Sequence, residues 1–107
     1  MITIDEFAQV EMRVGKVIKA EDVEKSEKLI RLTVDFGEFG QRIIFTGVRT
    51  YGYSAKDFQD KQFLFVTNIP FRKMMGQESQ GMILAVDGEK GPIFISGEGL
   101  PVGAKVR

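Results

Sequence analysis

The chain has 107 residues and a mass of 12.0 kDa, with 43% hydrophobic and 28% charged residues, the proportions of one folded domain spanning residues 1–107 around a single modest core. Fifteen basic and fifteen acidic residues cancel, which excludes a generally basic coating protein for nucleic acid but leaves room for a local cationic face. With no cysteine and no histidine, disulfides, thiolate metal sites and the commonest general base are all excluded, and neither a metal nor a cofactor is expected.

Thr3 followed by Glu6 fits a capping box for one short helical turn over Ile4 to Phe7. From Val10 to Ala20 the chain alternates as a long strand, and the apolar even positions (Val10, Met12, Val14, Ile18, Ala20) are expected to face inward. Gly15, in mid-strand, permits the sharp coil of a small barrel. A polar loop, Lys25 to Lys28, leads to a second strand with Ile30, Leu32, Val34 and Phe36 on one face. Gly37-Glu38-Phe39-Gly40 is a turn, and the third strand runs from Gln41 to Thr46. Paired as a hairpin, these two strands are expected to place Arg31, Thr33, Arg42 and Thr46 on a shared outer face, a cationic platform. Ser54 caps a short helix through Phe58, with Asp57 in its first turn. Gln62 to Thr67 and Met82 to Val86 are apolar strands; Asp87-Gly88 is a turn, Pro92 to Ile95 a further short strand, and a glycine-rich tail closes with Val102 to Arg107.

Three strands, a short helix and two more strands is the order of an all-β OB-fold, a Greek-key barrel whose ligand face lies on strands two and three and the flanking loops. The expected architecture is therefore that barrel, with a short helix between strands three and four and a C-terminal extension. No run approaches the ~20 apolar residues of a membrane helix, and no leader segment is evident, so no membrane partner and a cytoplasmic location are expected.

The segment from Asn68 to Met82 joins two apolar strands and is too long for a tight turn. It carries Arg72, Lys73 and Glu78-Ser79-Gln80, chemistry suited to a binding loop. Its Gly76 to Gly81 spacing mimics a phosphate-binding loop, but Met82 and Ile83 stand where lysine and a hydroxyl are needed. Lys73 with Ser79 reads most simply as a solvated lysine and a hydrogen-bonding serine, and the carboxylate pairs Asp5-Glu6 and Asp57 with Asp60 as solvated surface groups, so no enzyme is expected. Arginine offers a fork for phosphates, lysine a point charge, and Asn68, Thr46, Ser79 and Gln80 the neutral groups that read ribose and base edges. Met74, Met75 and Met82 pack the loop or offer an adaptable apolar surface. Most phenylalanines are expected inside, with Phe71, Tyr51 and Tyr53 as the aromatic exceptions.

Asn68, Arg72-Lys73, Met75-Gly76 and Glu78-Ser79-Gln80-Gly81-Met82 resemble the signature loop of the tRNA-binding domain family, the type appended to methionyl-tRNA synthetases or found as free-standing structure-specific tRNA-binding proteins. Ile4-Asp5-Glu6-Phe7 through Arg13-Val14-Gly15-Lys16-Val17 resembles the family's opening, Lys25-Ser26-Glu27-Lys28-Leu29 its first loop, and Pro101-Val102-Gly103-Ala104-Lys105-Val106 its closing run. The resemblance implies a non-catalytic tRNA-binding protein, free or as a detached synthetase subunit. It also implies a tRNA-contacting set of Lys28, Arg42, Thr46, Asn68, Arg72, Lys73, Ser79, Gln80 and Met82. This chain departs from the family pattern at Pro70 and Phe71, where a lysine and a proline are usual, and at Thr46, where a serine is usual. Asp35-Phe36-Gly37 and Asn68-Ile69-Pro70 resemble an export-chaperone branch of the same superfamily, which gives the alternative: a chaperone-like dimer that binds unfolded polypeptide. Leu100, Val102 and Val106 are spaced for one-sided burial. Free-standing relatives dimerise through this region and the N-terminal turn, so a homodimer with Ile2, Ile4, Phe7, Leu100 and Val102 in its interface is expected.

Overall fold

The computed structural model covers residues 1–107. It opens with helix α1 (Ile4–Ala8), closed by the capping box: the Glu6 amide donates to Thr3 Oγ1 and the Thr3 amide to Glu6 Oε1, both at 3.1 Å. The strands are β1 (Met12–Asp22), β2 (Ile30–Asp35), β3 (Gln41–Thr46), β4 (Gln62–Val66), β5 (Arg72–Met74), β6 (Gln77–Ser79), β7 (Met82–Ile83), β8 (Ala85–Gly88), β9 (Gly91–Phe94) and β10 (Lys105–Val106). The main sheet runs β3-β2-β1-β4-β7, with β10 on β1. It closes on itself because the Gln80 amide donates to Ile43 O at 2.8 Å, joining the residues before β7 back to β3. The result is the expected all-β OB-type barrel.

Its interior is a single core of Val17, Ile30, Leu32, Val34, Phe36, Ile44, Val48, Phe58, Phe63, Phe65 and Ile83. Phe36 meets Phe65 edge-on at 5.4 Å between centroids, and Tyr53 and Phe94 pack on Phe58 at 5.8 and 5.1 Å. Phe7, Phe39 and Phe71 are the phenylalanines left exposed.

Strand β1 does not keep the expected alternation. Gly15 and Val17 face the core. Val14 is buried on the opposite side under the C-terminal segment, whose Ala104 O accepts its amide and whose Gly103 amide donates to its carbonyl. Between Val17 and Lys19 the register with β2 slips by a bulge, which turns Ile18 outward and brings Ala20 opposite Leu32. Gln59 fills the bulge: its Oε1 accepts the Ala20 amide and its Nε2 donates to Ile18 O.

Strand β3 is also inverted relative to expectation. Ile44 lies opposite Leu32, Arg42 opposite Val34 and Thr46 opposite Ile30, all on the inner side, while Arg31 faces Phe45 and Thr33 faces Ile43 outside. The predicted platform of Arg31, Thr33, Arg42 and Thr46 is thus split between two faces. The outer side of β3 is covered as well, so Phe45 is buried there.

The helix after Ser54 is one 3-10 turn, Ala55–Asp57, with the Ser54 amide donating to Asp57 Oδ2 at 2.8 Å. The strand predicted from Met82 to Val86 is interrupted at Leu84, and its second half pairs with β9 as a separate hairpin.

Candidate nucleic-acid interface

The connector between β4 and β7 folds into a hairpin of its own. Arg72 pairs with Ser79, Lys73 with Glu78 and Met74 with Gln77. Its two-residue turn, Met75-Gly76, holds both residues at positive φ, 53° and 78°, as a hairpin turn with the twist of the strands requires. Asn-Gly is the favoured pair for this geometry; the methionine instead sends Sδ to within 4.0 Å of Ser26 Oγ, spanning to the loop between β1 and β2.

The hairpin is stapled to the barrel at its base. Ser79, 1% exposed, accepts the Phe45 amide at 3.0 Å and donates to Gly81 O at 2.9 Å. Gln80 Oε1 accepts the Ile43 amide at 2.8 Å. Arg42 reaches the same end of the barrel, where its Nη1 donates to Thr67 O and, at 2.9 Å, to Gln80 O. Asn68 clamps the segment after α1, accepting the Glu11 amide at 2.7 Å and donating to Gln9 O at 2.6 Å. Beside it, the Glu11 carboxyl is held below its ordinary range, first by the hydrogen bond from Arg13 and also by that from Thr67, against the opposing push of burial.

The nine residues singled out in the sequence therefore divide. Arg72, Lys73 and Lys28 are exposed, and none of them is in an ion pair. Met82 is 38% exposed on β7. Ser79 and Thr46 are buried, Gln80 and Arg42 half-buried, and the side chains of Ser79, Gln80, Arg42 and Asn68 hold the framework. The contact of Met75 with Ser26 brings the loop carrying Lys25 and Lys28 beside the hairpin carrying Arg72 and Lys73.

Sequence reasoning missed Arg49, which organises that loop: its Nη1 donates to Ser26 O at 2.5 Å and to Val23 O at 3.2 Å, and its Nε lies 3.7 Å from Asp22. No local pattern marks it, since its partners are more than twenty residues away. Also unforeseen is a cleft of about 430 Å³ between the loop and the hairpin tip, lined by apolar Leu29, Phe45 and Met75 and by charged groups including Glu21, Glu24 and Arg31. A second, apolar cavity of about 240 Å³ lies between α1 and β10, lined by Ile4, Phe7, Val10 and Val106.

The hairpin and the adjoining loop bring the exposed cations Lys25, Lys28, Arg72 and Lys73 to one region of the surface, and no group of three or more His, Cys, Asp or Glu side chains is placed to hold a metal ion. Residues 12–105 match the family model described as "Putative tRNA binding domain". The chain is 38% identical to a methionine–tRNA ligase of Deinococcus radiodurans over 100% of its own length, but spans only 16% of that protein. The crystal structure of a MetRS-related protein from Pyrococcus horikoshii is 39% identical, with a TM-score of 0.92, covering 100% of this chain and 98% of that one. The chaperone CsaA of Bacillus anthracis is 28% identical with a TM-score of 0.87, covering 100% and 99%.

Proposed function

This chain belongs to the tRNA-binding domain family, and from that premise we propose that it binds tRNA without catalysing a reaction on it, as a free factor or as a subunit working beside a methionyl-tRNA synthetase. The observation that carries the proposal is the hairpin: Arg72 and Lys73 are exposed and outside any ion pair on a two-stranded arm, next to a loop with Lys25 and Lys28. Cations so placed meet phosphates by position, so the mode is recognition of shape and backbone. Arg42, Ser79, Gln80 and Asn68 support this surface by holding the hairpin and its surroundings, and the family-implied contacts fall first on Lys28, Arg72 and Lys73.

The test is a gel shift against total tRNA with a salt titration. Each phosphate-paired cation contributes a slope of about 0.7 to 0.9 in log affinity against log salt. Replacing Arg72 and Lys73 together with alanine is expected to flatten the slope by about 1.4 to 1.8 and leave the urea midpoint unchanged. Unchanged affinity and slope in the double variant would remove the hairpin from the RNA site. Binding of an unfolded polypeptide, with no tRNA shift, would favour the chaperone reading that the likeness to CsaA suggests.

The same proposal includes a homodimer. Ile2, Ile4, Phe7 and Leu100 are exposed at 67, 85, 42 and 48%, and Val102 is half-buried in the C-terminal segment. Apolar surface of this kind is better covered than wetted, and two copies would present two cationic hairpins to one tRNA, offsetting a net charge of zero through multivalency. Light scattering at micromolar concentration is expected to give about twice the chain mass of 12.0 kDa; a monomer mass would refute the dimer.

A further inference from the structure

We infer that Phe71 is a stacking platform for one unpaired base of the bound RNA, an inference that rests on the tRNA-binding reading and adds to it a contact of a different physical kind. Phe71 directly precedes β5, and 50% of its surface is open to solvent. Its ring is nonetheless positioned. The guanidinium carbon of Arg42 lies 5.9 Å from the ring centroid, within reach of cation–π attraction. Arg42 cannot swing away easily, because Thr67 O and Gln80 O both accept from its Nη1. The ring thus rests against a cation that the barrel holds in place, at the foot of the hairpin that displays Arg72 and Lys73.

The other exposed rings lack this setting. Tyr51 packs against Gly91, where an added Cβ would lie 2.5 Å from its ring. Phe39 also has a held cation, Arg13 at 3.7 Å, fixed by Glu11 and Gly103 O, but Glu38 and Gly40 flank it and no cation directly follows it in the chain. Phe7 sits on α1 and shares a cavity with Lys105 and Arg107, but no guanidinium lies over its ring. Only Phe71 combines an open aromatic surface, a fixed cation behind it and two unpaired cations immediately after it in the chain. Proteins hold unpaired strands by that combination: cations follow the phosphates while an aromatic takes a base, whichever base it is. A ring serving the fold alone would be expected inside, as Phe36, Phe58 and Phe65 are at 1, 1 and 0% exposure.

The chain has no tryptophan, so a Phe71→Trp variant carries a single indole at the proposed contact. Titrated with total tRNA, and with a short single-stranded RNA, its emission is expected to be quenched in step with complex formation. Phe71→Ala is expected to weaken RNA binding roughly 5- to 150-fold, the range of one stacked base, with the salt slope unchanged because no phosphate partner is lost. Circular dichroism of both variants checks that the barrel is intact. Unquenched emission on a complex that a gel shift shows to have formed would overturn the inference while leaving tRNA binding standing. A blue shift with unfolded polypeptide and no quenching by RNA would also overturn it, and would assign the ring to an apolar polypeptide segment. Absence of any gel shift for the unmodified chain would overturn the tRNA reading and this inference together.

Discussion

Gly15→Val is expected to abolish folding or to cost more than about 3 kcal/mol, the upper end of what overpacking a core usually costs. A Cβ at Gly15 would lie 2.5 Å from Val34 Cγ1, 2.7 Å from Phe36 Cε1 and 2.9 Å from Phe65 Cδ1. Those three side chains are at most 1% exposed, and Phe36 and Phe65 are locked edge to face, so none has room to yield. Gly15 pairs with Phe63 of β4 near the point where β1 passes from β4 to β2, and the strands approach most closely where no side chain separates them. A domain of this size has only about 5–15 kcal/mol in hand, so the loss is a large fraction of the whole. Gly47→Ala is the control: its added methyl meets only Leu29 Cδ2, at 3.9 Å. Urea unfolding is expected to show the control within about 0.5 kcal/mol of the parent. A Gly15→Val variant with the parent's midpoint would mean that β1 does not pass over a filled core at this residue.

How legible the fold was depended on whether a strand had one wet face. In β2, Ile30, Leu32 and Val34 are buried and Arg31, Thr33 and Asp35 are not, and alternation identified its faces correctly. In β1 the second face is covered by the C-terminal segment, and in β3 by the hairpin of β5 and β6. Where both faces are covered, apolar residues stand on both, so Val14 and Phe45 looked like core-facing residues when they are buried beneath later parts of the chain. The bulge at Ile18 was invisible for a related reason, since the residue that stabilises it, Gln59, lies about forty positions away. At the candidate site, Arg72 and Lys73 were legible because exposed cations keep their meaning without neighbours. Ser79, Gln80 and Asn68 were legible as polar groups in the right segment, but whether a hydroxyl or amide faces solvent or ties down a backbone depends on long-range partners. Here it does the second, and every buried side-chain nitrogen or oxygen has found a partner.

Ser79→Ala is expected to lower stability by about 1–3 kcal/mol and to weaken tRNA binding without changing its salt slope. The hydroxyl is the hinge between the hairpin and the barrel: it receives the Phe45 amide of β3 and passes its own hydrogen to Gly81 O, two residues on. At 1% exposure no water can replace it, so alanine leaves the Phe45 amide with no acceptor in a dry site. Losing a buried partner costs more than the net worth of the bond, because the orphaned group has already given up its hydration. At its base the hairpin would then be held by Gln80 and Arg42. Its cations would still be present, which is why the slope should persist, but they would spend part of the time off the geometry that presents them to phosphate. Arg72→Ala, on the exposed position opposite Ser79, provides the contrast: a flatter slope with unchanged stability. Urea unfolding and salt-titrated gel shifts on the two variants separate the roles. If Ser79→Ala kept the parent's midpoint yet lost affinity, Ser79 would be a direct contact to RNA and not the staple of the arm that makes the contact.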